Sequence, residues 1–234
     1  AVAFVHHTSL ALDPAGAPHI SYNWHWYSRW SPVASGPAYL TRTPDGWVSP
    51  FSKDSGAWYS DLALSPDGTP HLAYSDAGEL HYIAGGATWS ETIVATNAGS
   101  PSLALDSSGL PHLAFADAAT RQIRYIYWHD GGWHTRDLPV AGGSVELALD
   151  PDGRPVIAFA DYPGGRQSIA FGRDGGGWDL QVVDEQGGGP SSLAFDAAGR
   201  PYLAYHDVAN EDLKLATLHY LIQPERCFLP LIYK

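Results

Sequence analysis

Five segments of this chain read alike. The first runs Ser9-Leu10-Ala11-Leu12-Asp13 and on to Pro18-His19-Ile20-Ser21-Tyr22; its counterparts begin at Asp61, Ser102, Glu146 and Ser192. Their turn glycines, Gly16, Gly68, Gly109, Gly153 and Gly199, lie 52, 41, 44 and 46 residues apart. A period in the forties without 3.6-residue patterning excludes a helical solenoid and calls for several strands per repeat. In Leu103-Ala104-Leu105 and Leu113-Ala114-Phe115 bulky and small residues alternate, so each sheet has a bulky face and an alanine face. One such sheet would leave both faces wet, whereas five stacked in a ring bury them all. The expected architecture is therefore all-β: a five-bladed β-propeller with four antiparallel strands per blade.

Each repeat parses into those four strands. The first is Ser-Leu-Ala-Leu-Asp, closed by a turn such as Asp150-Pro151-Asp152-Gly153, where Pro presets φ and Gly accepts positive φ. The second opens on a Pro, which a strand start tolerates. The third is Tyr39-Leu40, His81-Tyr82-Ile83, Arg124-Tyr125-Ile126, Ile169-Ala170-Phe171 or Lys214-Leu215-Ala216. The fourth opens with Trp47, Trp89, Trp133 or Trp178; the last repeat has no such Trp. Ala1-Val2-Ala3-Phe4-Val5 precedes the first repeat where a fourth strand belongs, so the N-terminal strand is expected to complete blade five and close the ring. The alternative closing strand is Phe228-Leu229-Pro230-Leu231-Ile232. Residues 1–220 are read as one propeller and 221–234 as a C-terminal tail, an extra strand or an assembly segment.

Composition narrows the partners. A net charge of −12 argues against nucleic acid, which needs a basic stripe. No run of about 18 apolar residues is present to span a membrane. Cys227, the single cysteine, has no internal disulfide partner. The chain starts at Ala1 and contains no Met, which fits a mature secreted protein, and an extracellular location is expected.

The pattern S-L-A-L-D-x-x-G-x-P-H-I-A-Y-x-D, followed by L-K-Y-A and G-x-W, resembles a repeat of secreted bacterial and archaeal propeller proteins, from Ser9 to about His219. The ending Cys-Phe-Leu-Pro-Leu-Ile-Tyr-Lys is similar to a short tail of some secreted bacterial proteins. The resemblance implies architecture more than activity, because that fold hosts lectins, glycosidases and scaffolds. The sialidase-type Asp box is absent from the sequence.

Repetition separates scaffold from site. Asp76, Asp117, Asp161 and Asp207 end the second strand of four repeats, with Asn23 in the first. They are expected to cap their own turns; the alternative is a carboxylate ring holding a hard cation such as Ca2+. No other cofactor is expected. The repeat-derived His19, His71 and His112 are replaced by Val156 and Tyr202 elsewhere, which marks a packing position. His6-His7 and the pair His129 and His134 lack zinc-ligand spacing.

Departures from the repeat are more informative. Asp61 and Glu146 stand where three repeats have Ser, and two carboxylates across a channel mouth are what a glycan-active hydrolase would use. The 52-residue spacing accommodates Tyr22-Asn23-Trp24-His25-Trp26-Tyr27-Ser28-Arg29-Trp30, an aromatic insertion suited to stacking on sugars or a protein surface. Trp24, Trp26, Trp30 and Trp58, with Asn23 and His25, are the candidate binding residues. The leading expectation is a non-enzymatic binding or assembly module, directed to glycan or protein and capable of forming a homo-oligomer or polymer; a hydrolase using Asp61 and Glu146 is the alternative.

Overall fold

The computed structural model describes residues 2–28, 31–86, 88–221 and 227–233. Among them the secondary structure is nineteen β-strands and no helix. The first meander is β1 (Val2–Leu12), β2 (Pro18–Ser28), β3 (Ser31–Thr43) and β4 (Gly46–Ser52). The second is β5 (Tyr59–Leu64), β6 (Pro70–Asp76), β7 (Glu79–Ala84) and β8 (Ser90–Thr96). A seven-stranded sheet holds the third and fourth: β9 (Ser102–Leu105), β10 (Pro111–Ala116), β11 (Gln122–His129), β12 (Gly132–Leu149), β13 (Pro155–Asp161), β14 (Gln167–Gly172) and β15 (Trp178–Asp184). In it β12, 18 residues long, ends one meander and opens the next. The fifth is β16 (Ser191–Phe195), β17 (Pro201–Asp207), β18 (Asp212–Leu221) and β19 (Cys227–Tyr233).

The chain forms two compact units. One comprises Ala1–Leu113, Asp117–Ala119 and Tyr127–His134; the other takes Ala114–Ala116, Thr120–Ile126 and Thr135–Lys234.

The strand turns follow from the repeated Asp. Asp13 Oδ1 accepts the amides of Ala15 at 2.9 Å and Ala17 at 2.7 Å, and Asp106, Asp150 and Asp196 repeat this. The carboxylate thereby satisfies amides that a bare turn would leave to water. The strand-two histidines are buried structural groups. His19 Nδ1 lies 2.5 Å from the Tyr39 hydroxyl, and His71 contacts the hydroxyl of Tyr82 in the same way.

The N-terminal strand does not complete the fifth meander. Val2–His6 continue β1 and pair with Asn23–Tyr27 of β2, while the fourth strand of the fifth meander is β19, paired from Leu215↔Tyr233 to Leu221↔Cys227. The reason is local: β2 runs past the repeat end, so the nearest unpaired backbone for Val2–His6 is its own hairpin partner. The alternative closing segment, Phe228–Ile232, lies within β19.

Meanders stack bulky face on alanine face. Leu62, Leu72, Tyr74 and Ile83 of the second meander cluster with Tyr39 of the first, flanked by Ala11 and Phe51. In the other unit Leu193, Leu203 and Tyr205 lie against Val156, Ala158, Ile169 and Val183. The strand-four Trp adds an edge-on aromatic contact to the preceding meander. Trp89 meets Tyr39 at 5.4 Å, Trp133 meets Tyr82 at 5.4 Å, and Trp178 meets Tyr125 at 5.6 Å between ring centroids. On the first meander the corresponding face is uncovered. Leu10 and Leu12 are 65% and 63% exposed, whereas Leu62, Leu103 and Leu147, the counterparts of Leu10, are each 5% exposed.

A polar lock accompanies this packing at two of the steps. The residue six beyond the strand-four Trp is Lys53, Ala95, Pro139 or Asp184, and the aromatic it precedes in the next repeat is Tyr74, Phe115, Phe159 or Tyr205. Charge goes with Tyr and an uncharged residue with Phe. Lys53 Nζ donates to the Tyr74 hydroxyl at 2.8 Å and to Glu91 at 2.7 and 2.8 Å. In the other unit the sign is reversed: Asp184 Oδ2 accepts from Tyr205 Oη at 2.9 Å and from Lys214 Nζ at 2.7 Å. Lys214 also lies 2.6 Å from Asp207 Oδ2. Its ammonium, with the Asn210 amide, holds the Asp207 carboxyl well below the ordinary range; at Asp184 burial pulls upward, but Lys214 and its other donors prevail and lower it.

Two outcomes test this packing. Leu62→Ala should cost about 2–5 kcal/mol in urea titration, and Leu10→Ala roughly 0.5 kcal/mol or less. Equal losses would show that Leu10 is covered in solution. Lys214→Met should lower the thermal midpoint by several degrees at pH 7. Because the two carboxyls are depressed, their contribution is complete above the ordinary Asp range near pH 4 and is lost as pH falls through it, so the deficit should shrink below pH 4. A deficit constant from pH 3 to 7 would mean that charge pairing is not its source.

Candidate functional site

In four repeats the second strand stops at its Asp or, for β10, one residue before it. In the first, β2 continues beyond Asn23 through Ser28, flanked by Val2–His6 on one side and Ser31–Pro37 on the other. A bulge joins this extension to the repeat: His6 pairs with Asn23 and Ser9 with Ser21, so His7 and Thr8 oppose Tyr22 alone, and His7 has φ of 46°. Beyond the bulge, alternation places Asn23, His25 and Tyr27 on one face and Trp24 and Trp26 on the other.

The face carrying His25 forms a row of rings. The Trp58 centroid is 4.1 Å from that of His25 and 6.4 Å from that of His6, and His6 stands 5.2 Å from His25. Phe4 meets Tyr27 edge-on at 5.7 Å, and His7 lies 4.1 Å from Tyr59. Phe4 and Trp58 are 48% and 45% exposed, and Tyr59, His6 and His7 are also open to solvent. His25 is buried beneath them, and neither of its ring nitrogens has a hydrogen-bond partner among the described residues. Burial, reinforced by the neighbouring imidazoles, lowers the affinity of His25 and His7 for a proton.

The structure divides the residues singled out from sequence. Trp58 and His25 share the row. Trp24 and Trp26 face the other way, continuing the uncovered face of Leu10 and Leu12, with Trp26 exposed and Trp24 half-buried. Trp30 lies outside the described residues. Asn23 is buried and fully engaged, accepting from Ser60 Oγ at 2.7 Å and donating to the Ala57 carbonyl at 3.3 Å. Phe4, His6, His7 and Tyr59 join the row without a sequence signal for it: Ala1–Val5 has the pattern of a closing strand, and His6-His7 lacks zinc-ligand spacing.

Three of the four terminal aspartates accept amides of their own turns. Asp117 accepts the Ala119 amide, Asp161 that of Arg166, and Asp207 those of Ala209 and Asn210. Asp76 pairs with Glu79 around the two-residue turn Ala77-Gly78. Among the described residues no group of three or more His, Cys, Asp or Glu is gathered as a metal site.

Asp61 and Glu146 occupy matching register positions, opposite Ala73 and Ala158, in different compact units. Asp61 brackets successive strands. Its Oδ1 accepts the Leu62 amide at 2.8 Å and its Oδ2 the Leu103 amide at 2.8 Å, with Ser102 Oγ at 3.4 Å. Burial pushes its carboxyl up despite these donors. A carboxyl raised in this way has the character of a general acid, and both of its oxygens are engaged by the frame.

No family model and no curated protein matches the chain. Among solved structures it is similar to the lectin SapL1 in complex with alpha methyl fucoside, with a TM-score of 0.63 and 12% identity over 94% of this chain and 78% of the lectin. The Hadza microbial sialidase Hz136 gives 0.62 and 14% over 91% of this chain, which spans 56% of the sialidase's length. The GH43_1 enzyme from Xanthomonas citri gives 0.55 and 13%, covering 96% of this chain and 90% of the enzyme. At these identities the likeness is one of fold: an all-β, propeller-like chain.

Asp61→Asn tests the bracket. A carboxyl raised by burial favours folding at low pH and loses that contribution as pH rises through its folded value. The Asn variant should therefore gain thermal midpoint relative to the parent between pH 4 and pH 7. A difference independent of pH would show that Asp61 does not titrate in this range.

Proposed function

We propose that this chain is a secreted five-bladed propeller that binds carbohydrate without transforming it. The observation that carries this reading is the row of Phe4, Tyr27 and Trp58 rings beside imidazoles, on the one meander that departs from the repeat. Exposed ring faces bordered by polar edges suit the apolar face and hydroxyls of a pyranose. The likeness to a lectin complexed with a methyl fucoside and to a GH43_1 enzyme complexed with xylose supports the substrate class. The five meanders are read as five blades, and the bulky residues of the uncovered first face, Leu10 and Leu12, have the composition of a blade face meant to be covered.

Glycan-array screening followed by calorimetry tests the proposal. Trp58→Ala should weaken binding of the best glycan at least about ten-fold, with less than about 1 kcal/mol lost in stability. Trp26→Ala, on the opposite face, should leave binding unchanged. If Trp26→Ala abolishes binding and Trp58→Ala does not, the recognition surface is the other face.

A further inference from the structure

Two solvent-exposed imidazoles, His6 and His7, flank the stacking row with ring centroids 6.5 Å apart. The bulge produces this arrangement. Residues adjacent on a regular strand point to opposite faces, but the left-handed backbone at His7 turns its ring onto Tyr59 while His6 stays beside Trp58. From the geometry we infer that the ligand of this row is an acidic sugar, a uronic or sialic acid, whose ring lies on Trp58 and whose carboxylate lies between His6 and His7. The inference rests on the carbohydrate-binding reading above.

Three observations support it. The neighbours of the imidazole pair carry no competing acid along the row: His25 and Tyr27 come from β2, and Tyr59 from β5, where Asp61 two residues on is bound to the amides of Leu62 and Leu103. The electrostatic influences on His7 and His25 come from other imidazoles. Through Trp58 the sequence has three acids, Asp13, Asp45 and Asp54, matched by Arg29, Arg42 and Lys53, so the whole net charge of −12 lies beyond it. An anion approaching this part of an otherwise acidic chain meets a locally neutral segment that becomes cationic as its histidines protonate. Finally, His25 is buried under the row with both nitrogens unpaired among the described residues, so no acid beneath the row is bound to it to offset an anion above.

The chemistry requires proton uptake on binding. In the free chain burial, with the His6 imidazole alongside, makes His7 resist protonation; a carboxylate between the two rings opposes that resistance, so affinity rises as pH falls. Calorimetry of the full chain with tetragalacturonate and with 3′-sialyllactose, each against its methyl ester, tests this at pH 5.5 and 7.5. At least one acid should bind roughly ten-fold tighter at pH 5.5, with its ester weaker and indifferent to pH. His6→Gln and His7→Asn should each remove the pH dependence, Asn being chosen because it tolerates the left-handed backbone. His129→Gln, away from the row, should not. The His7 imidazole, followed by NMR, should titrate upward in the complex. Acid and ester bound equally, or affinity independent of pH, overturns the acidic-sugar inference while leaving stacking on Trp58 intact. Failure of both acids, together with a neutral glycan whose binding needs Trp58, does the same. Glycan binding that ignores Trp58 sinks the parent reading instead.

Discussion

Everything else in this chain depends on the fit between the bulky face of one meander and the alanine face of the meander before it. The first strand of each repeat alternates a bulky residue with Ala, so neither face of the sheet it opens is polar enough to meet water over its whole area. Where the fit is made, Leu62 and Leu193 are buried among Tyr39 or among Val156, Ala158 and Ile169. Tryptophan reinforces the same step from the outer strand, reaching back to the preceding meander's aromatic.

The steps are alike in shape but not in chemistry. Tyr74 and Tyr205 bring a hydroxyl into the packed layer, and a buried hydroxyl needs a partner. Lys53 and Asp184 supply it from one position in the preceding repeat, with opposite charge, and the surrounding acids and bases are exchanged to suit. Phe115 and Phe159 need no partner, and Ala95 and Pro139 offer none. The substitutions compensate within a single chain, which fixes the order of its meanders: a step built for Lys53 would place the ammonium of Lys214 beside another cation.

Much of the frame was legible because it is repeated. The glycine spacing, the alternation and the Asp at each turn all gave strands where strands are found. The closing strand was misread because Val2–Val5 is as good a strand sequence as any, and nothing in its composition says whether β2 or β18 is its partner. Trp24 and Trp26 drew attention by their rings, yet whether they join Trp58 depends on strand parity relative to a distant loop. Asp61 stood out as the alternative catalytic acid because acids are rare at its position; that one of its oxygens reaches the next repeat's backbone, a contact 42 residues away in sequence, could not be read from the chain. Local chemistry was readable; long-range apposition was not.

The bulge at His7 and Thr8 has a counterpart at Ser144 and Val145, where Gly143 pairs with Ala160 and Glu146 with Ala158, and Ser144 has φ of 49°. The same joint thus precedes strand one in two repeats: in the first the chain before it pairs with the extension of β2, and in the fourth it is the end of the preceding meander's last strand, β12. Such a joint decouples inheritance of the two parts. Insertions, deletions and ring-for-ring exchanges before the first joint leave the pairing of Ser9 to Leu12 untouched, so the aromatic row can change while the frame stays as it is.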